Sequence, residues 1–370
     1  MKARLGAVLF GIGVFVVVVA AGCAFYVAPA VARLPYDLAM CKNDTQSGCL
    51  RNTVARAENA RFLQTKGGDT PVVAIQTGTL ESVTEIQPRP DLTESEITGD
   101  LEGEAVVWNG YGTVTWVEQN FMVTQYKAQL AIDRDTAAAV EWKNQFLQDA
   151  GPTGDSTAVF AGQLYKFPFG TEKKDYQYFD RDLRKALPIQ FQGTETIKGL
   201  ETYRFQQVIP ETPLNLSAER VSGLLGNFAP GATSGQVTYS NTRTIWVEPV
   251  SGVFIKGQEV QKKTLVPNTG APTGLLEASF VYTDKTVSNN VQSAGDTKSQ
   301  VLLISRYLPI GLAVLGAVLL IVGLILVTTG RRSAARHRAE EINDGGEEPG
   351  DSEESNGDEE NSDAEPGVKA

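Results

Sequence analysis

The sequence predicts a mainly β (β-rich α+β) extracytoplasmic domain between two terminal transmembrane helices. Three observations carry that expectation. An uncharged apolar run lies near each end of the 370-residue chain. The stretch between them alternates in hydrophobicity as half-buried strands do. Basic residues flank both apolar runs on their terminal sides.

Leu5 to Ala28 holds no charge and follows Lys2 and Arg4; Leu308 to Val327 is likewise uncharged and precedes Arg331, Arg332, Arg336 and Arg338. Each reaches the ~20 residues that a helix needs to cross the hydrocarbon core. With the basic flanks at the extreme ends, the positive-inside rule puts both termini in the cytoplasm and the middle outside. The expected layout is an anchor over 1–29, an extracytoplasmic β-rich domain over 30–305, a second span over 306–330 and an acidic cytoplasmic tail over 331–370. The first run also has the basic start and apolar core of a cleaved signal peptide, although it continues through Phe25, Tyr26 and Val27. Ala20-Ala21-Gly22-Cys23 is similar to a lipoprotein cleavage site, with lipidation of Cys23 as the alternative to a helix carrying a small residue.

After the first span, Cys41 and Cys49 bracket a short polar stretch. A close pair on the oxidising side of a membrane reads as a disulfide, against the alternative of two free thiols. Ala105 to Trp108 and Tyr111 to Val117 are β-prone and flank Asn109-Gly110, which predicts a hairpin there. Further strands are expected at Met122 to Ile132, Gly199 to Val208, Gln236 to Val247, Gly252 to Val266 and Leu276 to Tyr282. An amphipathic helix is expected from Leu216 to Phe228, with Ser217 to cap it and Pro230 after it. Thr136 to Gln148 is a second helical candidate, though Ala138-Ala139-Val140 equally starts a strand. Leu130 to Val140 and Ile245 to Ile255 echo one another: a strand ends in an acidic residue, turns over Thr or Ser with a small residue, and returns. Duplication and shared turn chemistry both produce that echo.

The net charge of −11 sits largely in the tail, which carries roughly −8 of it. That tail is rich in Gly, Ser and Glu and too poor in apolar residues to fold. The remainder is near neutral, with no basic face for nucleic acid. The single histidine, His337, lies beyond the second span, so the outer domain has none to serve as a base or a zinc ligand. Asp133 with Asp135, and Asp180 with Asp182, are the paired carboxylates that could hold a metal or run acid–base chemistry. The first pair sits where a turn is expected and Asp bonds its own backbone. A non-enzymatic protein with no cofactor and no metal is the expectation.

Phe167 to Asp180 reads FPFGTEKKDYQYFD. With GLETYRF at 199–205, WVEPVSG at 246–252 and an anchor at each end, the chain resembles the actinobacterial PorA-like membrane protein family over all but the acidic tail. That family was first recorded as a domain of unknown function and later labelled porin. The resemblance implies a cell-envelope protein of the plasma membrane, associated in some relatives with lipid traffic in mycolate-bearing envelopes. Its layout is also similar to that of lipid-carrying scavenger receptors, in topology alone. The motif supplies Phe167, Pro168 and Gly170 for a turn, then Glu172, Lys173 and Lys174, then Tyr176, Tyr178 and Asp180, with Tyr203 from the second stretch. One reading makes these a packed corner; the other makes the lysines and tyrosine hydroxyls a polar mouth for a glycolipid headgroup, with the 216–228 helix as a lid. The expected partners are the membrane, an envelope lipid or glycolipid, and a transporter or cell-wall assembly complex. Lipid carriage calls for a deep apolar cavity, and a pure interaction module for none. A channel component is the third reading.

Overall fold

The computed structural model describes residues 2–36, 51–66, 72–149 and 158–343. The Cys41–Cys49 pair and the acidic stretch from Asp344 lie outside the described residues. Helix α1 (Lys2–Gly22) leads through a π turn (Cys23–Val27) to the short α2 (Ala28–Val31). Then come β1 (Arg51–Lys66), β2 (Val72–Pro88), α3 (Pro90–Glu96), β3 (Ala105–Trp116), β4 (Phe121–Asp133), β5 (Ala139–Val140) and β6 (Phe146–Gln148). The second half holds β7 (Tyr176–Asp180), β8 (Lys185–Ile197), β9 (Leu200–Pro213), α4 (Ala218–Phe228), β10 (Gly235–Val247), β11 (Phe254–Pro267) and β12 (Thr273–Tyr282). It ends in α5 (Asp284–Leu302), a second π turn (Leu303–Tyr307) and α6 (Leu308–Asn343). The chain forms two compact units, one made of the ends through Val18 and from Leu312, the other of Val19–Gly311.

In the first unit, glycines recur seven residues apart on both helices, Gly6 and Gly13 on α1 and Gly316 and Gly323 on α6. A seven-residue repeat keeps both on one helix face. A Cβ on Gly6 would lie 2.8 Å from the Gly323 carbonyl oxygen, and one on Gly13 would lie 3.0 Å from that of Gly316. The helices therefore run antiparallel and meet backbone to backbone, as small residues allow in membranes. The remaining faces present Phe15, Val14, Val314 and Ile321 outward, which suits hydrocarbon.

The second unit is one antiparallel sheet of 12 strands in the order β5-β4-β3-β2-β1-β12-β11-β10-β9-β8-β7, with β6 on β4. Two meanders, each built of sequence neighbours, thus join at a single seam where Ala55 of β1 faces Tyr282 of β12. The sheet curls. Its two edges are bridged by a strap at Gly162 and Gln163: Ala139 N–H donates to the Gly162 carbonyl at 2.8 Å, and Gln163 pairs in parallel with Tyr178. Phe160 and Leu164 of the strap share a core with Leu130 of β4 and Phe179 of β7. Helix α4, capped by the Ser217 hydroxyl accepting from Arg220 N–H, sets Leu225 on Val237 and Leu265. Helix α5, capped by Thr283, sets Val287 and Ala294 on Val253 and Ile255.

The later strands and the α4 helix fall where the sequence predicts them. Asn109-Gly110 does not turn: β3 runs straight through it from Ala105 to Trp116. Thr136 to Gln148 is not a helix, because Ala139–Val140 and Phe146–Gln148 both pair with β4. The echo survives as turn geometry. Asp133 and Glu248 each donate their N–H to the carbonyl five residues on and accept from the N–H four residues on, where Ala137 (φ 54°) and Gly252 (φ 69°) are left-handed. The Asp133 carboxylate bonds the N–H of Asp135 and Thr136, so this D-x-D is a turn device.

Candidate functional site

Alternation on a strand puts every second side chain inside the curl. On β10 those positions are Tyr239, Asn241 and Arg243; on β11 they are Gly257, Glu259 and Gln261; on β9, Gln207. A charged group placed there needs partners, since desolvating it alone is costly. Arg243 has them. Its Nε and Nη2 donate to Glu259 at 2.9 and 3.2 Å, Nη2 also reaches Asp180 Oδ2 at 3.2 Å, and Nη1 donates to Gln207. Gln207 turns its amide to the carbonyls of Tyr178 and Leu187, both at 3.0 Å. Tyr239 Oη donates to Asp180 at 3.1 Å, while the other Asp180 oxygen takes Leu183 N–H and fixes the β7–β8 turn. Asp182, in that turn, pairs with Lys263.

Burial pushes the Glu259 carboxyl up, but the charge of Arg243 and hydrogen bonds from Arg243, Gln261 and Asn241 more than offset this and hold it at about 2. Its side chain keeps 30 % of its surface accessible, because it faces an internal chamber. Burial also pushes the phenols of Tyr178, Tyr239 and Tyr282 up, so all three are neutral donors.

The chamber measures about 190 Å³ and is walled about equally by polar residues such as Thr84, Tyr126, Arg181 and Glu259 and by apolar ones such as Ile86, Val114 and Phe280. Three glycines make space for its aromatic rings. A Cβ on Gly110 would lie 1.8 Å from Tyr165 Oη, one on Gly112 1.8 Å from the Tyr126 ring, and one on Gly257 2.6 Å from the Tyr282 ring. That is why Asn109-Gly110-Tyr111-Gly112 is strand and not turn. Arg181 reaches in from the β7–β8 turn and stacks on Tyr126, its guanidinium carbon 3.8 Å from the ring centroid. It makes no hydrogen bond or ion pair with any described residue. The Tyr165 hydroxyl beside it is buried next to Tyr126 and makes no close hydrogen bond among the described residues.

The sequence motif divides between this chamber and a corner outside it. Tyr178 and Asp180 belong to the chamber and its network. Phe167 is buried against Phe205, ring centroids 4.8 Å apart, and donates its N–H to the Gly252 carbonyl. Gly170 and Thr171 donate to Val250 and Pro249, and the Pro168 carbonyl accepts from the Thr171 hydroxyl. The three stretches FPFG, GLETYRF and WVEPVSG therefore pack on one another. Glu172 pairs with Lys174 at 2.9 Å on the exposed corner, and Glu172 N–H donates to Tyr176 Oη. Lys173 lies over Tyr203, whose ring meets Phe191. The lysines are not brought to the chamber. Arg181, Arg243, Glu259, Gln207, Tyr126, Tyr165 and Tyr282 are, and no sequence signal singled them out. The nearest was the polar run Ser240-Asn241-Thr242-Arg243 inside a strand otherwise apolar at its end.

A curled sheet around a half-polar chamber, flanked in sequence by helices long and apolar enough to cross a membrane, Arg4–Val31 and Asp284–Arg332, points to the class of β-domain membrane proteins. The family model described as Porin PorA matches residues 5–325, and the chain belongs to that family. It is similar to the Porin PorA of Corynebacterium amycolatum, 29 % identical over 163 residues that cover 35 % of this chain and 42 % of the relative. It is also similar to the Porin PorA of Corynebacterium resistens, 26 % identical over 144 residues, covering 26 % and 35 %. The chain spans less than half the length of these curated relatives.

Proposed function

We propose that this chain is a non-enzymatic, porin-like component of the cell envelope that receives the polar group of its ligand in the chamber of the β-domain. Both termini are cytoplasmic in this reading, and the β-domain lies outside. The observation that carries it is the chamber itself: small, charged and hydrogen-bonded. At about 190 Å³ it falls below the ~300–1,000 Å³ of pockets that enclose whole drug-sized molecules. That volume is small for an acyl chain, so a headgroup of an envelope lipid or glycolipid, or a free polar solute, suits it better.

The outward face favours a domain in water over a barrel crossing the bilayer with its strands. Arg56 faces Glu81 at 2.7 Å, Arg61, Glu277 and Lys262 lie in neighbouring register, and Arg204 pairs with Glu195 at 2.9 Å. A lipid-facing Arg or Lys in a transmembrane barrel costs about 2–4 kcal/mol at the midplane. The relatives' printed label of porin is consistent with solute handling by such a domain.

Native mass spectrometry of the full chain in neutral detergent, after exposure to envelope extract, tests the proposal. A bound species carrying a polar group, lost when Thr84→Trp fills the chamber, is the expected result. A species retained equally by that variant, or none on either chain, would overturn it.

A further inference from the structure

Among the described residues, Arg181 is the chamber cation with no hydrogen bond or ion pair. Every carboxylate near it is already engaged: Asp180 and Glu259 by Arg243, and Asp182 by Lys263. Stacking on Tyr126 holds the guanidinium by its face and leaves its edge, with five N–H donors, turned to the chamber that it lines. The Tyr165 hydroxyl, buried beside Tyr126 and making no close hydrogen bond, is a further neutral donor. Tyr178 is already used, since its hydroxyl donates to the Leu164 carbonyl at 2.9 Å.

A planar fork of donors beside a buried, neutral hydroxyl fits one kind of group. We infer that Arg181 and Tyr165 form an oxyanion-binding site, taking a phosphate or carboxylate group of the ligand through the guanidinium edge. This rests on the reading of the chamber as a polar receptor and names the chemistry it receives. Charge-assisted, bidentate pairing is the strongest contact that Arg makes with such groups. Tyr126 positions Arg181, and Gly112 in turn admits the Tyr126 ring. The site thus spans β3, β4 and the β7–β8 turn, which the strap brings together. The purely structural alternative makes Arg181 only a distant counter-charge to the three carboxylates, in which case its removal harms folding and not binding.

The full chain in neutral detergent is titrated calorimetrically with inorganic phosphate at constant ionic strength. Dihexanoyl phosphatidic acid in the same detergent is titrated in parallel. Saturable binding is expected, weakened on the order of tenfold or more by Arg181→Gln and a few-fold by Tyr165→Phe. Arg181→Gln strands no ion-pair partner, so its circular dichroism and melting temperature should match the parent's. Binding of free phosphate marks a solute site; binding of the phosphatidic acid alone marks a lipid headgroup. Absence of saturable binding to both probes, or binding unchanged by Arg181→Gln, overturns the inference. So does a lowered melting temperature in that variant with binding intact. A neutral glycan found bound by mass spectrometry, with Arg181 dispensable, would overturn the oxyanion site and leave the polar chamber standing. An adduct that ignores Thr84→Trp would remove both.

Discussion

In the helix pair, a Cβ on Gly316 would meet Val17 Cγ2 at 2.6 Å and the Val17 backbone nitrogen at 3.1 Å; in β3, a Cβ on Gly112 would meet only the ring of Tyr126. The same residue type answers two different needs. Among lipid tails there is no hydrophobic gain in bringing helices together, so contact depends on backbones approaching closely. Inside the curled sheet, glycine gives up its own side-chain volume to a tyrosine from another element. Backbone cannot step aside, whereas a ring can swing. Substitutions in the two regions should therefore differ in kind as well as in size.

Gly316→Leu should have the largest effect. A diazirine leucine analogue at Leu326, whose Cβ packs over Gly6 where a Gly6 Cβ would lie 2.8 Å away, should photo-cross-link α6 to α1 readily, read out after proteolysis between the helices. Gly316→Leu, one repeat away, should lower the yield on the order of tenfold, in line with an overpacking cost of about 1–3 kcal/mol. An unchanged yield would show that the glycines do not govern pairing. Gly112→Ala should destabilise the β-domain by about 1 kcal/mol in urea, at the lower end of the overpacking range, because Tyr126 can rotate away. Tyr126→Ala in the same chain should return part of that loss. If the second change adds its own full cost instead, ring and glycine are independent.

A third prediction separates the regions by pH. The Glu259 carboxyl is lowered from 4.5 to about 2 in the fold, so its contribution is complete above pH ~4.5 and fades as pH falls toward 2. Acid unfolding of the β-domain, followed by circular dichroism, should weaken across that window in the parent and lose this component in Glu259→Gln. The helix-pair cross-link, with no ionisable group at its contact, should persist through it. A parent and variant with the same acid profile would remove Glu259 from the account.

What could be read in the sequence follows the reach of each signal. Both apolar runs, the strands from β9 onward and the capped helix α4 are local patterns, and local patterns sufficed. Strands β1, β2 and β8 were not recognised, because Arg56, Glu81 and Glu195 fill outward positions along runs with small inward residues such as Ala55, Ala57 and Ala60. Asn109-Gly110 misled for the same reason that the chamber was invisible: the glycine answers to Tyr165, distant in sequence. The motif FPFGTEKKDYQYFD was legible as something special, yet most of it builds a corner. Arg243 looks like an ordinary strand arginine until the curl puts it opposite Asp180. The seven-residue glycine spacing in both apolar runs is itself a local pattern, and it marks the face on which the two helices meet.

The seam between β1 and β12 has a consequence for synthesis. Strands β1 to β6 emerge first; each of β2 to β5 can pair with the strand made just before it, and β6 with β4. Strand β1 then waits with one flank unpaired until β12, 227 positions later at the Ala55–Tyr282 pair, leaves the ribosome. An open flank is a template for another copy of the same strand. A chain halted after β9 should accordingly associate with itself through β1, and the native order of events makes the last strand the guardian of the first.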